Sequence, residues 1–201
     1  MRAEDSDVRM RLLVAAKRLF ARQGYDGTSV RQICEEAGAN VALVSYYFGG
    51  KENMFQALFD TFFPKALIME FVDRQVDPIN GVKELVREVM RFHTTEPELV
   101  VLLNQEIALN SPRIDIIRRN AFPIWIKLRE LLRQGREDGV FHFRSLDHTM
   151  MTVLGNVLFH KQRNYFLPIL IGDSNDQEAA IEDSVDFVMR GLQANTDIIS
   201  Q

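Results

Sequence analysis

An all-α fold is predicted by three observations. Apolar residues recur at helical spacing in nearly every segment, no Val/Ile/Thr-rich alternation marks a strand, and Gly, Pro and capping residues punctuate the chain at helix lengths. Residues 1–50 read as a compact three-helix unit and 51–201 as a larger helical body, with a fourth helix bridging them. A chain of 201 residues with 46% apolar content can bury a substantial core, and 26% charge without low-complexity runs points to an ordered chain.

Ser6 or Asp7 can cap a first helix that runs to Gln23, with Leu12, Ala15, Ala16, Leu19 and Phe20 at helical offsets, and Gly24 ends it. Thr28 or Ser29 caps a second helix whose stripe is Val30, Ile33, Cys34 and Ala37. Gly38 closes that helix, and Asn40 caps a third from Val41 to Phe48. After Gly49-Gly50 a fourth helix runs from Lys51 to the region of Arg74, with a kink expected at Pro64. Longer helices follow at 81–94, 98–110, 112–136, 146–166 and 176–194. Ser111-Pro112 opens the third of these and Pro123 should kink or break it. Gly135 and Gly139 end it, and Ser145 caps the next.

The net charge of −4 is unevenly spread. Residues 9–51 hold seven Lys/Arg against three acids, a net of +4, so the rest of the chain carries −8. Such a bias suits a module that meets a polyanion by one end, or equally a solvated charged face. The charged N-terminus leads to only five apolar residues, Leu12 to Ala16, too few for a secretory leader. No run nears the ~18 apolar residues a membrane-spanning helix needs. One cysteine, Cys34, excludes an internal disulfide and fits a reducing compartment. The expected location is the cytoplasm, off the membrane.

The stretch TSVRQICEEAGANVALVSYYFGGK, from Thr28 to Lys51, joins a helix with an orderly apolar stripe to one too short to stand alone. Near the end of the second lie Ser45, Tyr46, Tyr47 and Lys51. This is how a helix-turn-helix reads. Together with Ala15-Ala16, Leu19-Phe20, Gly24-Tyr25 and Lys51-Glu52, the pattern resembles the N-terminal domain of the tetracycline-repressor (TetR) family of bacterial transcription regulators, over about the first 60 residues. Gly139-Val140-Phe141 followed by Asp147 is a weaker echo of the same family.

The resemblance implies an N-terminal helix-turn-helix DNA-binding domain (1–50) and a helical ligand-binding and dimerisation domain (51–201). It places the third helix in the major groove, with Asn40, Val41, Ala42, Leu43 and Ser45 toward the bases. Val44 and Phe48 fall in the core; Tyr46, Tyr47, Lys51 and the Thr28 hydroxyl meet phosphates. Ser45 stands where the family often has tyrosine, and Tyr47 where it often has histidine. The base-facing set is poor in hydrogen-bonding side chains, so thymine-methyl contacts and DNA shape are expected to contribute. Periodicity alone would instead bury Val41 with Val44 and Phe48.

The body is rich in Phe and Met, mostly core by expectation, with polar groups set into apolar segments. Phe92, His93, Asn104, Gln105, Trp125, Asn156 and His160 are the candidate ligand contacts, set against the default that protein or solvent satisfies each polar group. The last two long helices carry stripes (Met150, Val153, Leu154, Val157, Leu158; Ala180, Ile181, Ser184, Phe187, Val188) that suit either intramolecular packing or, as in the family, a homodimer interface. The four histidines lack metal spacing, and no nucleophile–base motif, phosphate loop or paired-carboxylate signature appears, so no catalytic residue, metal or cofactor is expected. The expected function is a repressor of double-stranded DNA, freed from a palindromic operator by a small molecule. The alternatives are an activator or ligand-independent regulator of the same fold, or an all-helical carrier or enzyme.

Overall fold

A computed structural model describes residues 3–171 and 176–193, and among them every regular element is helical. The order is α1 (Ala3–Gln23), α2 (Val30–Ala37), α3 (Ala42–Phe48), α4 (Lys51–Phe62), α5 (Lys65–Asp73), α6 (Pro78–Thr95), α7 (Pro97–Leu109), α8 (Ile114–Glu137), α9 (Leu146–Phe159), α10 (Arg163–Phe166) and α11 (Gln177–Gly191). Short 3₁₀ turns at His160–Gln162 and Leu167–Ile169 flank α10.

Where the elements depart from expectation, the local chemistry gives the reason. Pro64 breaks the fourth helix rather than kinking it: the residue before a proline is pushed out of helical space, and Phe63 is extended at φ −78°, ψ 134°. Pro123, by contrast, lies inside a helix that continues through it. The start of α8 falls at Ile114, two residues past the expected position, because Ser111 closes a turn first, its hydroxyl accepting from the Arg113 amide at 3.1 Å. Gly135 does not end α8. A Cβ there would lie 2.1 Å from the ring of Phe141, which is wholly buried, so glycine admits that ring. The expected helix 146–166 stops at Phe159 and continues as short turns. Asp176 caps α11 by accepting from the Ala179 amide, and the expected end at residue 194 lies outside the described residues.

The chain forms two compact units. One takes the residues up to Leu67 with Glu96–Phe122; the other takes Ile68–Thr95 with the chain from Pro123 on. In the first unit, α7 packs on α1: Lys17 Nζ sits 2.6 Å from Glu96 Oε2, and Gln105 Nε2 donates to the Ala21 carbonyl at 3.1 Å. Its core includes Leu12, Ala16, Phe20, Ile33, Phe55, Leu58, Leu99 and Leu102.

In the second unit α6 packs on α11 and α9 around Val82, Leu85, Val86, Leu128, Leu131, Phe141, Val157 and Ile181. Arg87 clamps Glu182 through two bonds of 2.6 and 2.7 Å, and Arg91 pairs with Glu178 one turn away. Lys127 Nζ donates to the carbonyls of Val72 and Arg74, both at 2.8 Å, placing a cation at the carbonyl end of α5. No helix of the described residues is long and apolar enough to cross a membrane.

Candidate nucleic-acid interface and ligand region

The α2–turn–α3 motif is built by caps. Ser29 Oγ accepts from the Gln32 amide while Gln32 Oε1 accepts from the Ser29 amide, a reciprocal pair that closes the start of α2. Gly38 takes left-handed φ 61°, where a β-carbon is strained, and lets the Ala39 amide return to the Cys34 carbonyl at 2.9 Å. Asn40 Oδ1 then accepts from the Ala42 amide at 2.9 Å and starts α3.

In α3, Val44 and Phe48 point inward. Val41, Ala42, Ser45 and Tyr46 are exposed, and Leu43 and Tyr47 half-buried. The conflict over Val41 resolves toward solvent. It stands in the cap before the first helical residue, 50% exposed, off the buried row that Val44 and Phe48 make. Tyr46 is 76% exposed, with its ring 5.0 Å from that of Tyr47.

Two expected phosphate groups sit differently from the sequence reading. Thr28 is buried; its hydroxyl donates to the Gly24 carbonyl at 2.8 Å and accepts from Gln23 Nε2 at 3.2 Å, so it is committed inside the fold. Lys51, half-buried at the start of α4, holds its Nζ 4.0 Å from the Tyr25 ring centroid. Burial pushes its pKa down, Asp26 opposes that and Arg113 adds to it. A cation at a helix N-terminus is thus explained in part by the ring beneath it.

Sequence reasoning missed two cations here. Arg113 lies 3.8 Å over the same Tyr25 ring and is anchored by Glu106, whose carboxylate also accepts from the Ser111 hydroxyl. Arg9 lies 5.3 Å over the Phe48 ring, beside the end of α3. Neither contact has a local signal, since the partners are 88 and 39 residues apart in the chain. The basic bias of residues 9–51 is also partly spent inside the protein: Arg11 pairs with Asp7, Lys17 with Glu96, Arg18 with Glu36 and Arg31 with Glu35.

The candidate ligand residues do not form one group. Asn104 and Gln105 belong to the first unit, where their amide nitrogens bond the carbonyls of Val100 and Ala21. Trp125 packs half-buried against the core of the second unit, and Asn156 Oδ1 is a buried acceptor without a partner among the described residues. His93 and His160 do come together. They line a hollow of about 220 Å³ with Met90, Lys161, Arg163 and Ile181. Phe92 is on α6 next to His93, half-buried, and does not line it. Burial, with Lys161 and then His160 nearby, lowers the His93 pKa to about 4, so its imidazole is neutral at pH 7. Ser184 Oγ lies 3.1 Å from His160 Nε2. Among the described residues no three His, Cys, Asp or Glu are placed to hold a metal ion.

Residues 12–58 match the family of bacterial regulatory proteins of the tetR type, and residues 78–191 match the tetracyclin repressor-like C-terminal domain. The chain is 24% identical to the HTH-type transcriptional repressor NicS of Pseudomonas putida, over 96% of each sequence. It is 30% identical to the repressor AcnR of Corynebacterium glutamicum, over 70% of this chain and 57% of that one. Among solved structures, the hemolysin II transcriptional regulator HlyIIR shares 32% identity at a TM-score of 0.72, covering 89% of this chain and 97% of its own. These relatives are transcription regulators, not enzymes. A helix-turn-helix presenting an exposed α3, joined to this helical C-terminal region, makes the chain a member of the TetR family of bacterial transcription regulators.

Proposed function

We propose that this regulator is a homodimeric repressor that leaves a palindromic operator when a small molecule binds its second unit. The observation that carries the DNA reading is the outward row of α3, Val41, Ala42, Ser45 and Tyr46, on a helix capped and held from behind by Val44 and Phe48. One helix fits the major groove, and Val41, Ala42 and Ser45 of this row offer methyl groups and one hydroxyl to base edges. Tyr46, at the end of the row, together with Tyr47, Lys51 and Arg9, supplies the groups for backbone phosphates. Asn40 contributes as the cap of α3, and Leu43 as a half-buried support.

Two heads reading a palindrome require a dimer. The stripes of α9 and α11 are largely used within the protein, since Val153, Val157, Ile181, Ser184 and Val188 are all buried. What α9 and α11 leave exposed is Met151 and Phe159, eight residues apart on α9, with Phe187 on α11, and these supply the apolar contact for a second copy. Repression is supported by the two repressor relatives, and an effector by the hollow around His93 and His160. Effector binding then favours a state of the dimer whose heads no longer match both half-sites.

A mobility-shift titration with the DNA upstream of the protein's own gene tests this. Specific binding should weaken as salt rises, and Lys51→Ala should bind about 3- to 10-fold more weakly, with a log–log salt slope shallower by about one. An unchanged affinity and slope would remove Lys51 from the interface. Absence of a specific complex at low salt would defeat the operator reading.

A further inference from the structure

We propose that α3 reads the C5-methyl group of pyrimidines rather than the hydrogen-bonding edge of any base, so that 5-methylcytosine substitutes for thymine in a half-site. The proposal rests on the operator reading above and deepens it by naming what the exposed row recognises.

That row is short of hydrogen-bonding reach. Val41, at 50% exposure, and Ala42 lead it, and Ser45 follows one turn on, off the buried row of Val44 and Phe48. No residue of α3, ALVSYYF, carries an amide or a guanidinium side chain. Those of α2 and the turn before it are committed elsewhere. Asn40 folds its Oδ1 back to the Ala42 amide at 2.9 Å, Gln32 Oε1 takes the Ser29 amide at 2.8 Å, and Arg31 pairs with Glu35 at 2.9 Å. Bases are told apart by their edges through bidentate pairs, Asn or Gln on adenine and Arg on guanine, and α3 offers none of these side chains.

What the row does offer is methyl groups. Thymine and 5-methylcytosine both carry a methyl into the major groove, and uracil and cytosine do not. The Ser45 hydroxyl both donates and accepts, so it meets the O4 of thymine or the N4 amino group of 5-methylcytosine alike. Covering one methyl is worth about four-fold in affinity, and one in each of two half-sites roughly 15-fold.

The upstream DNA used above tests this when it is amplified with dTTP or with dUTP, since uracil lacks only the methyl group. Specific binding by the full chain should weaken about ten-fold or more with uracil. In footprinted half-sites, changing a contacted T·A pair to 5-methylcytosine·guanine should keep affinity within about two-fold, whereas uracil or cytosine at the same position should lose about four-fold. The double variant Val41→Ser/Ala42→Ser, at two exposed positions, should keep its melting temperature and bind the thymine and uracil fragments within about three-fold of each other. Uracil DNA bound as tightly as thymine DNA overturns the proposal. So do 5-methylcytosine and cytosine half-sites of equal affinity, or a full uracil penalty in the double variant. If the thymine fragment gives no specific complex at low salt, the operator reading fails and this proposal with it. A specific complex indifferent to uracil overturns the proposal alone.

Discussion

At the scale of single residues, the densest chemistry outside α3 is the Glu106–Arg113 pair. Glu106 is 1% exposed and Arg113 9%, with Arg113 Nε 2.9 Å from Glu106 Oε2 and the guanidinium stacked on Tyr25. Two charges buried together are near balance, but removing Glu106 leaves Arg113 with only the exposed Asp26 carboxylate, 3.9 Å away. Glu106→Gln should therefore lower the unfolding free energy by about 3–5 kcal/mol, read from a urea titration followed by circular dichroism. The double variant Glu106→Leu/Arg113→Met should recover much of that loss. If it unfolds as readily as the single variant, the buried-charge account is wrong. None of this was legible in the sequence, where Glu106 is an isolated acid and Arg113 one arginine among many. The pair is set by the turn at Ser111, and the stack on Tyr25 closes a long loop of chain.

At the scale of elements, the parts governed by neighbouring residues were readable and the parts governed by distant ones were not. The stripe of α1, the caps at Ser29, Asn40 and Ser145 and the left-handed Gly38 follow from local chemistry, and they stand in the structure. Gly135 was misread because its reason for being glycine is the Phe141 ring six residues on, not a helix end. The Thr28 hydroxyl is satisfied by Gly24 and Gln23, which only the turn brings together. The eight-residue α2 is too short to persist alone, so its caps matter more than they would in a long helix. Ser29→Ala removes one acceptor of the reciprocal pair and should cost about 1 kcal/mol, seen as a lower denaturation midpoint with an unchanged m-value. Equal midpoints for the two proteins would show that packing, not the cap, holds α2.

For the molecule as a whole, the division of surface is the informative quantity. The chain's −4 net charge hides an N-terminal excess of cations, yet ion pairs with Asp7, Glu35, Glu36 and Glu96 take several of them. DNA affinity then depends on a small set of phosphate contacts, which bounds the steepness of its salt dependence. Apolar surface is apportioned likewise: α9 and α11 turn most of their stripe inward and leave Met151, Phe159 and Phe187 outside. If the proposed homodimer forms through this face, Phe187→Asp should raise its dissociation constant by about ten-fold or more, measured by sedimentation equilibrium, with the secondary structure intact. A dimer that ignores this change uses another face. The sequence pattern alone could not apportion these residues, because a stripe facing its own core and one facing a second copy have the same period.

Cys34 carries a last consequence, for the kind of signal this regulator answers. The chain's one thiol sits 2% exposed within α2, and burial raises its pKa, so the reactive thiolate is scarce and shielded. Peroxides and disulfide partners act on exposed thiolates. While the head is folded, the Cys34 thiol is shielded from oxidants in solution.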